Sequence, residues 1–526
     1  MSGLKKGRTH RKSLIGALTL LLFLGTAPAS AADLYGLVIG IDDYIGTEND
    51  LDGAVNDASD IARSLDEAGA KEVVRLLNDD ASKDRIVAAW DGLLATAKPG
   101  DTIVFSYAGH GGQEPAPPDR HDKTRIESFL LGHFEPSGPG TRERIVDDEV
   151  YAWLQRADKK GVKVVFVADS CHSGGMERSA SAPGVKFRRM IYPAITNDEL
   201  QFPKDTSNLT EDDFQNITFV AAVPADKLVP EVTIDGKKRG ALSWAVARAF
   251  EGRADKDGDG ELSELELLSY VVPAVHAQVE SQQTPQVLPL RARSVQLMAL
   301  RVAKPTGQVP ATADLRLKVA VEGGDGSAFA DLPYATLVTD ETQADLIWSV
   351  SKGTVEHVVG GVVAENVDAT SIKGVVSKWA ALKWLKEQVA LNPADASLTS
   401  GNQRYAVGDH VKIDLQGAKY PHLTVFNLPP DGHVEFFIPD PGKPSEATKD
   451  WSLEPIHEEF KVDKPPYGAE HMVAIFSKDD LPELHAALAS MTTPQRAEAL
   501  RPALEEMLAG KDAQIGIIDI YTGTGG

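Results

Sequence analysis

Short apolar runs alternate with amphipathic stretches over the first 300 residues of this chain. Tyr35-Gly36-Leu37-Val38-Ile39-Gly40-Ile41, Val73 to Leu77, Ile103-Val104-Phe105-Ser106-Tyr107, Val164-Val165-Phe166-Val167 and Ile217 to Ala222 are such runs, rich in β-branched and aromatic residues. Their length and composition predict strands buried on both faces. Between them, Ala54 to Leu65 and Lys83 to Leu94 have helical apolar spacing, as does the stretch from Asp147-Asp148-Glu149 through Leu154. The acidic opening of the last suits the positive end of a helix. Strands alternating with helices predict βαβ units and an α/β fold with a mostly parallel sheet flanked by helices. Gly240 to Phe250 and Leu267 to Val279 read as further helices.

Pro305 to Thr312 marks a linker, drawn at 303–314. Beyond it, Leu315 to Val321 and Ala344 to Val350 read as strands and Trp379 to Leu391 as a helix, an α+β accessory region over 315–400. His422-Leu423-Thr424-Val425-Phe426 and Val434-Glu435-Phe436-Phe437-Ile438 flank Pro429-Pro430-Asp431-Gly432, a hairpin pattern that predicts a β-rich domain over 401–526.

Two strand ends carry the candidate chemistry. The Val164 run stops at Asp169-Ser170-Cys171-His172-Ser173-Gly174, and Cys171 is the only cysteine of the chain. It can form no internal disulfide and no cysteine-rich metal cluster. A lone thiol inside an apolar run is usually inert. This one lies past the run, where open α/β sheets gather their reactive groups, so it reads as a nucleophile. The Ile103 run ends in Ala108-Gly109-His110-Gly111-Gly112. A histidine on a neighbouring strand end is the base a thiol needs, and the glycines leave backbone N–H groups free beside a reacting carbonyl. The expectation is that Cys171 and His110 face each other across a cleft.

Composition bounds the partners. The chain has 526 residues, enough for two or three domains, and a formal charge of −23, which argues against nucleic acid and anionic membrane surfaces. The first 31 residues resemble a signal peptide: Lys5, Lys6, Arg8, Arg11 and Lys12, an apolar Leu14 to Leu24, then Ala29-Ser30-Ala31. No cysteine follows the apolar run to carry a lipid, and no later stretch is apolar enough to span a membrane. The mature chain is expected to be exported, periplasmic or secreted.

A separate motif runs from Asp255 to Glu266, DKDGDGELSELE. Oxygen-bearing residues stand at loop positions 1, 3, 5 and 12 and glycine at 6, the pattern of a helix-flanked calcium loop. Asp255, Asp257, Asp259, Glu261 and Glu266 are the predicted Ca2+ ligands.

YAGHGG followed by VVFVADSCHSGG resembles the metacaspases and related bacterial caspase-like cysteine peptidases, over roughly Leu34 to Leu300. His110 precedes Cys171 by 61 positions, near the roughly 50 of the caspase arrangement. The hairpin region resembles, more weakly, a small β-rich domain found behind such domains. The family resemblance implies a Cys171–His110 dyad needing no cofactor for its chemistry, with an oxyanion held by the backbone N–H groups of Gly111 and Cys171. It also implies an acidic pocket from Asp57 and Asp169, hence polypeptide substrates cleaved after Arg or Lys. The basic, aperiodic 174–210 segment corresponds to a loop that the family can cut during maturation; a plain surface loop is the other reading. The family's usual DGxDE stretch is replaced by Lys123-Thr124-Arg125-Ile126-Glu127, so calcium dependence is expected from the Asp255–Glu266 loop, although Asp147 and Asp148 are retained. Two further readings stay open: a catalytically silent caspase-fold scaffold, and a hydrolase of aspartyl substrates.

Overall fold

The computed structural model describes residues 32–116, 125–171, 186–192, 195, 209–222, 229–234, 236–279, 285–289, 295–300, 315–358, 361–399, 404–416, 418–440, 442–443, 445–453, 455–462 and 465–523. The expected signal peptide and the 303–314 linker lie outside them.

The N-terminal half is built on β1 (Leu34–Gly40), α1 (Ala54–Glu67), β2 (Glu72–Leu77), α2 (Lys83–Thr96), β3 (Thr102–Ala108), β4 (Gly111–Pro115), β5 (Arg125–Leu130) and β6 (Arg144–Val146). There follow α3 (Asp147–Lys160), β7 (Lys163–Asp169), β8 (Ile217–Ala221), β9 (Glu231–Ile234), β10 (Lys237–Gly240) and α4 (Ala241–Arg248). The half closes with β11 (Glu261–Ser263), α5 (Glu264–Val279), β12 (Gln286–Leu288) and β13 (Gln296–Ala299). Six strands form one sheet in the order β12-β8-β7-β3-β1-β2, parallel except for β12. Small sheets β4-β5-β6 and β9-β10 lie outside it.

The apolar runs are continuous because the sheet is covered on both sides. On β3, Val104 packs with α1, α4 and α5 through Ile61, Leu65, Trp244 and Tyr270. Its neighbours Ile103 and Phe105 face the opposite layer with Trp90 of α2 and Leu154 of α3. Successive side chains of a strand point to opposite faces, so each run must be apolar throughout.

The C-terminal half holds β14 (Leu317–Glu322), β15 (Ala335–Leu337), β16 (Leu346–Ser349), β17 (Thr354–His357) and β18 (Gly361–Glu365) in one sheet, then the helix α6 (Ile372–Leu391). After β19 (Asp395–Leu398) come β20 (Arg404–Ala406), β21 (His410–Gln416), β22 (His422–Leu428), β23 (Glu435–Ile438), β24 (Ile456–Lys461), β25 (Ala469–Ser477) and β26 (Ala513–Gly523). The expected hairpin is the antiparallel pair β22–β23. Across residue 400, where the sequence suggested a boundary, the core is shared: Leu317, Leu346, Val375 and Leu382 pack in one cluster with Phe426, Val473 and Ile515. The two halves meet where α5 lies along α6, and the Tyr270 hydroxyl donates to the Ala390 carbonyl at 2.6 Å. Among the described residues no helix is long and apolar enough to cross a membrane.

Phe105 is 1% exposed, stacks on Phe166 at 5.1 Å and meets Trp90 edge-on at 6.0 Å. Truncation there removes core contacts that the sheet cannot close over. Phe105→Ala is expected to cost about 3–5 kcal/mol, read as a lower urea midpoint for the first unfolding transition.

Candidate active site

Strand register brings the two predicted reactive loops together. β3 and β7 pair in parallel with Ala108 opposite Asp169, and β1 pairs with β3 so that Gly40 lies opposite Ala108. His110 and Cys171 each leave the sheet two residues past these paired ends, on adjacent strands and at the same carboxyl edge. The loop after β1, carrying Tyr44, Asn49 and Asp52, leaves beside them.

His110 is held from three directions. Its backbone N–H donates to the Tyr44 hydroxyl at 2.8 Å, and its carbonyl accepts from the Tyr107 hydroxyl at 2.9 Å. Its ring lies 4.6 Å from that of Tyr44, and Nε2 is 2.7 Å from the Asn49 carbonyl. A carbonyl only accepts, so Nε2 carries the ring hydrogen and the buried, unpartnered Nδ1 carries the lone pair. Burial pulls the His110 pKa down to about 4, against the pull of the Asn49 carbonyl toward the charged form. The imidazole is therefore a neutral base. Neither Asn49 nor the two tyrosines is marked by any pattern in the sequence; only the fold brings them to the histidine.

Cys171 is fully buried, not open to a cleft. Its thiol receives a hydrogen bond from the Val229 N–H at 2.7 Å. Burial pushes the thiol up to about 12, partly opposed by that hydrogen bond. The sulfur's burial has a local cause: a segment of the same chain, 186–190, lies across the site. Gly111 is where it enters. A Cβ on that glycine would stand 1.9 Å from the Cys171 carbonyl oxygen, so no other residue allows β4 to start this close.

The covering segment is hydrogen-bonded to the backbone on both of its sides. The Arg188 carbonyl accepts from the N–H of Gly111 at 3.0 Å and from the N–H of Cys171 at 3.1 Å. The Arg188 N–H donates to the Val229 carbonyl at 3.0 Å, the Glu231 N–H to the Lys186 carbonyl at 2.8 Å, and the Met190 N–H to the Gly111 carbonyl at 3.2 Å. The two N–H groups predicted to hold an oxyanion thus converge on one carbonyl oxygen, that of Arg188.

The Arg188 side chain fills the predicted acidic pocket. Its guanidinium pairs with Asp57, with Asp169 at 3.1 Å and with Glu231 at 3.2 Å, and all four side chains are essentially unexposed. Asp57 also accepts from the Gly240 N–H and Asp169 from the Ser243 N–H, each at 2.9 Å. Burial pushes the Asp57 carboxyl well above the usual carboxylate range; the guanidinium opposes that rise and Asp169 adds to it. The same carboxylates hold the Arg188 guanidinium above its ordinary value, overcoming its own burial. Asp57 and Asp169, 112 positions apart, meet as the sequence implied. Glu231 is a third carboxylate that sequence reasoning missed, because one Glu at the start of a four-residue strand carries no signal. Arg188 stood in the basic, aperiodic segment but was not distinguishable there from Arg178, Arg189 or Lys186.

The Asp255–Glu266 loop is remote in sequence and forms its own turn. Carboxylate oxygens of Asp255, Asp257 and Asp259 lie within 4.8 Å of one another. The Gly258 N–H donates to Asp255 at 2.6 Å and the Glu261 N–H to Asp259 at 2.8 Å, the inward folding such a loop needs. Glu266 instead accepts from the backbone N–H groups of Lys256 and Ser263, at 3.0 and 2.9 Å. Three of the five predicted ligands are therefore gathered, and Glu261 and Glu266 stand outside that group.

Comparison with known proteins finds likeness in the N-terminal half. The profile of the caspase domain matches residues 35–294. Metacaspase-1 of Pyricularia oryzae is 35% identical over 147 residues, 26% of this chain and 36% of that protein. Metacaspase-1 of Coccidioides immitis is 27% identical over 256 residues, 41% of this chain and 54% of that protein. Metacaspase-1B of Aspergillus terreus is 27% identical over 289 residues, 47% of this chain and 72% of that protein. The chain thus spans about a third to a half of the first two relatives, and none of these matches covers more than half of this chain. Over residues 35–294 the chain matches the caspase domain and is similar to metacaspases.

Proposed function

We propose that this chain is a cysteine endopeptidase that cleaves after Arg or Lys, with Cys171 as nucleophile and His110 as base. One observation carries the reading: Arg188 is held as the residue before a cleaved bond would be, with its carbonyl on two backbone donors beside Cys171 and its guanidinium among three carboxylates. A basic side chain suits that pocket because it offsets carboxylates that otherwise repel one another in a dry site.

The reaction begins with transfer of the thiol proton to His110 Nδ1 as the sulfur attacks the carbonyl carbon. The C–S bond forms, and the oxyanion takes hydrogen bonds from Gly111 and Cys171, donors of a kind worth about 2.7–4 kcal/mol each. Collapse breaks the C–N bond, and His110 returns the proton to the leaving amine. Water then attacks the thioester with His110 again as base, releasing the acid and restoring the thiol. Both groups start neutral, so proton transfer accompanies attack. In the chain's own segment the bond in this position is Arg188–Arg189, which makes it the expected self-cleavage site. An exported chain would carry out this chemistry outside the cytoplasm.

The loop at Asp255 is proposed to hold Ca2+. Asp255, Asp257 and Asp259 supply gathered oxygens; Glu261 and Glu266 complete the set if Glu266 exchanges its backbone partners for the ion. Calcium there would brace the turn before α5 and take no part in the bond-breaking steps.

Three outcomes check these proposals. Wild-type chain is expected to cleave peptides with Arg or Lys before the bond and to leave an Asp peptide intact. Cys171→Ala should abolish turnover and keep Arg188–Arg189 whole on mass spectrometry. A Cys171→Ala protein as active as wild type refutes the assignment, and absence of any turnover favours the scaffold. The pH profile is the second. The kcat of a bound Arg peptide should lose its acid limb nearer 4 than 6.5, because the occupant buries His110 as Arg188 does. The kcat/KM limb, set by the uncovered enzyme, should lie closer to the ordinary His value of about 6.5. Coincident limbs at 6.5 would contradict that account of the histidine. Third, millimolar CaCl2 should raise the melting temperature of the wild type and leave Asp255→Asn unmoved. An equal shift in both rules the loop out.

A further inference from the structure

The segment that fills the pocket also reports on the neighbouring subsite. We propose that the cleft selects a positively charged residue two positions before the Arg that precedes the cleaved bond, and that Asp52 makes this selection. The proposal rests on the peptidase reading above.

The stretch 186–190 is bonded on one side to Gly111 and on the other to 229–231, and it bends at Arg188, where the Arg189 N–H donates to the Phe187 carbonyl at 2.8 Å. The Lys186 and Arg188 side chains reach one region, the turn that opens α1: Arg188 pairs there with Asp57 and with Glu231, whose carboxylate accepts from the Asp52 and Gly53 N–H groups. Lys186 Nζ lies 2.9 Å from Asp52 Oδ1. Asp52 and Lys186 are 48% and 38% exposed, so an incoming peptide can reach this carboxylate from solvent.

The position of Asp52 is tied to the Arg pocket by one residue. Glu231 accepts from the Asp52 N–H at 2.8 Å through Oε2, and through Oε1 from the Gly53 N–H at 3.0 Å. The same Oε1 is 3.2 Å from the Arg188 guanidinium. The carboxylate that helps take the first basic side chain thus fixes the turn that presents Asp52 to the second. Lys238 also lies close enough to feel Glu231, Asp52, Asp345 and Lys186, and burial pulls its own pKa down. The recognised chemistry is a polypeptide carrying basic–any–Arg before the cut, the spacing that Lys186-Phe187-Arg188 itself displays.

The test uses the full-length protein and three fluorogenic peptides, acetyl-Lys-Phe-Arg, acetyl-Ala-Phe-Arg and acetyl-Glu-Phe-Arg aminomethylcoumarin. All three are read on the same enzyme, so competition from the 186–190 segment cancels in their ratios. For the wild type, kcat/KM should fall in the order Lys, Ala, Glu, by about two- to fivefold per step, the range an exposed ion pair supports. In Asp52→Lys the order should reverse, with the Glu peptide best. Equal rates for the three peptides on wild type, or the wild-type order in Asp52→Lys, overturn the subsite. Failure of wild type to cleave any of them overturns the peptidase reading instead, and the two failures are told apart by whether the Ala peptide is cut.

Discussion

A single guanidinium among three carboxylates is the interaction around which this site is arranged. Asp57, Asp169 and Glu231 come from α1, the end of β7 and the start of β9, and none of them is in contact with water. Ionised carboxylates gathered in a low-dielectric pocket repel one another and lose their hydration, so a pocket of this kind is costly when empty and favourable when a cation enters. The upward push on Asp57 is the same effect seen from one carboxyl. Breaking a buried pair by removing one partner typically costs 3–5 kcal/mol, roughly the scale of preference such a pocket can express for a basic side chain.

The occupant here belongs to the chain itself, so on the proposed reading an added peptide would have to compete with it. Arg188 follows Cys171 by only 17 residues, so its return to the pocket is an intramolecular event. Short tethers give effective concentrations of about millimolar, and a free peptide must outcompete that. Hydrolysis of Arg188–Arg189 would free the chain after the cut and leave Arg188 still tethered to the nucleophile's loop. Self-cleavage alone would then relieve competition only in part, by removing the contact of Met190 with Gly111.

Register is the second constraint. Parallel pairing of Ala108 with Asp169 fixes both reactive loops at one edge within a residue's length, and a slip of one position would turn every side chain of a strand to the other face. Because the sheet is covered on both sides by apolar layers, no such slip is tolerated. The precision of the Cys171–His110 neighbourhood is therefore inherited from the core, from Val104, Phe105, Val165 and Phe166, and not from the loops.

Much of this was legible in the order of residues. Continuous apolar runs need two-sided cover, which announced the parallel sheet; Cys171 beyond one run and His110 beyond another marked the two loops that meet at the sheet's carboxyl edge; Asp57 and Asp169 were found through their resemblance to a known pocket. Periodicity is local, and these features are local. What only the tertiary structure decided depends on contacts between distant segments: the third carboxylate, Glu231; the Asn49 carbonyl that sets the tautomer of His110; the sharing of one core by the two C-terminal regions; and above all the seating of Arg188, one of several basic residues in an aperiodic stretch. No pattern along a chain distinguishes an arginine that faces water from one buried among three acids, because that difference lies entirely in what the fold brings around it.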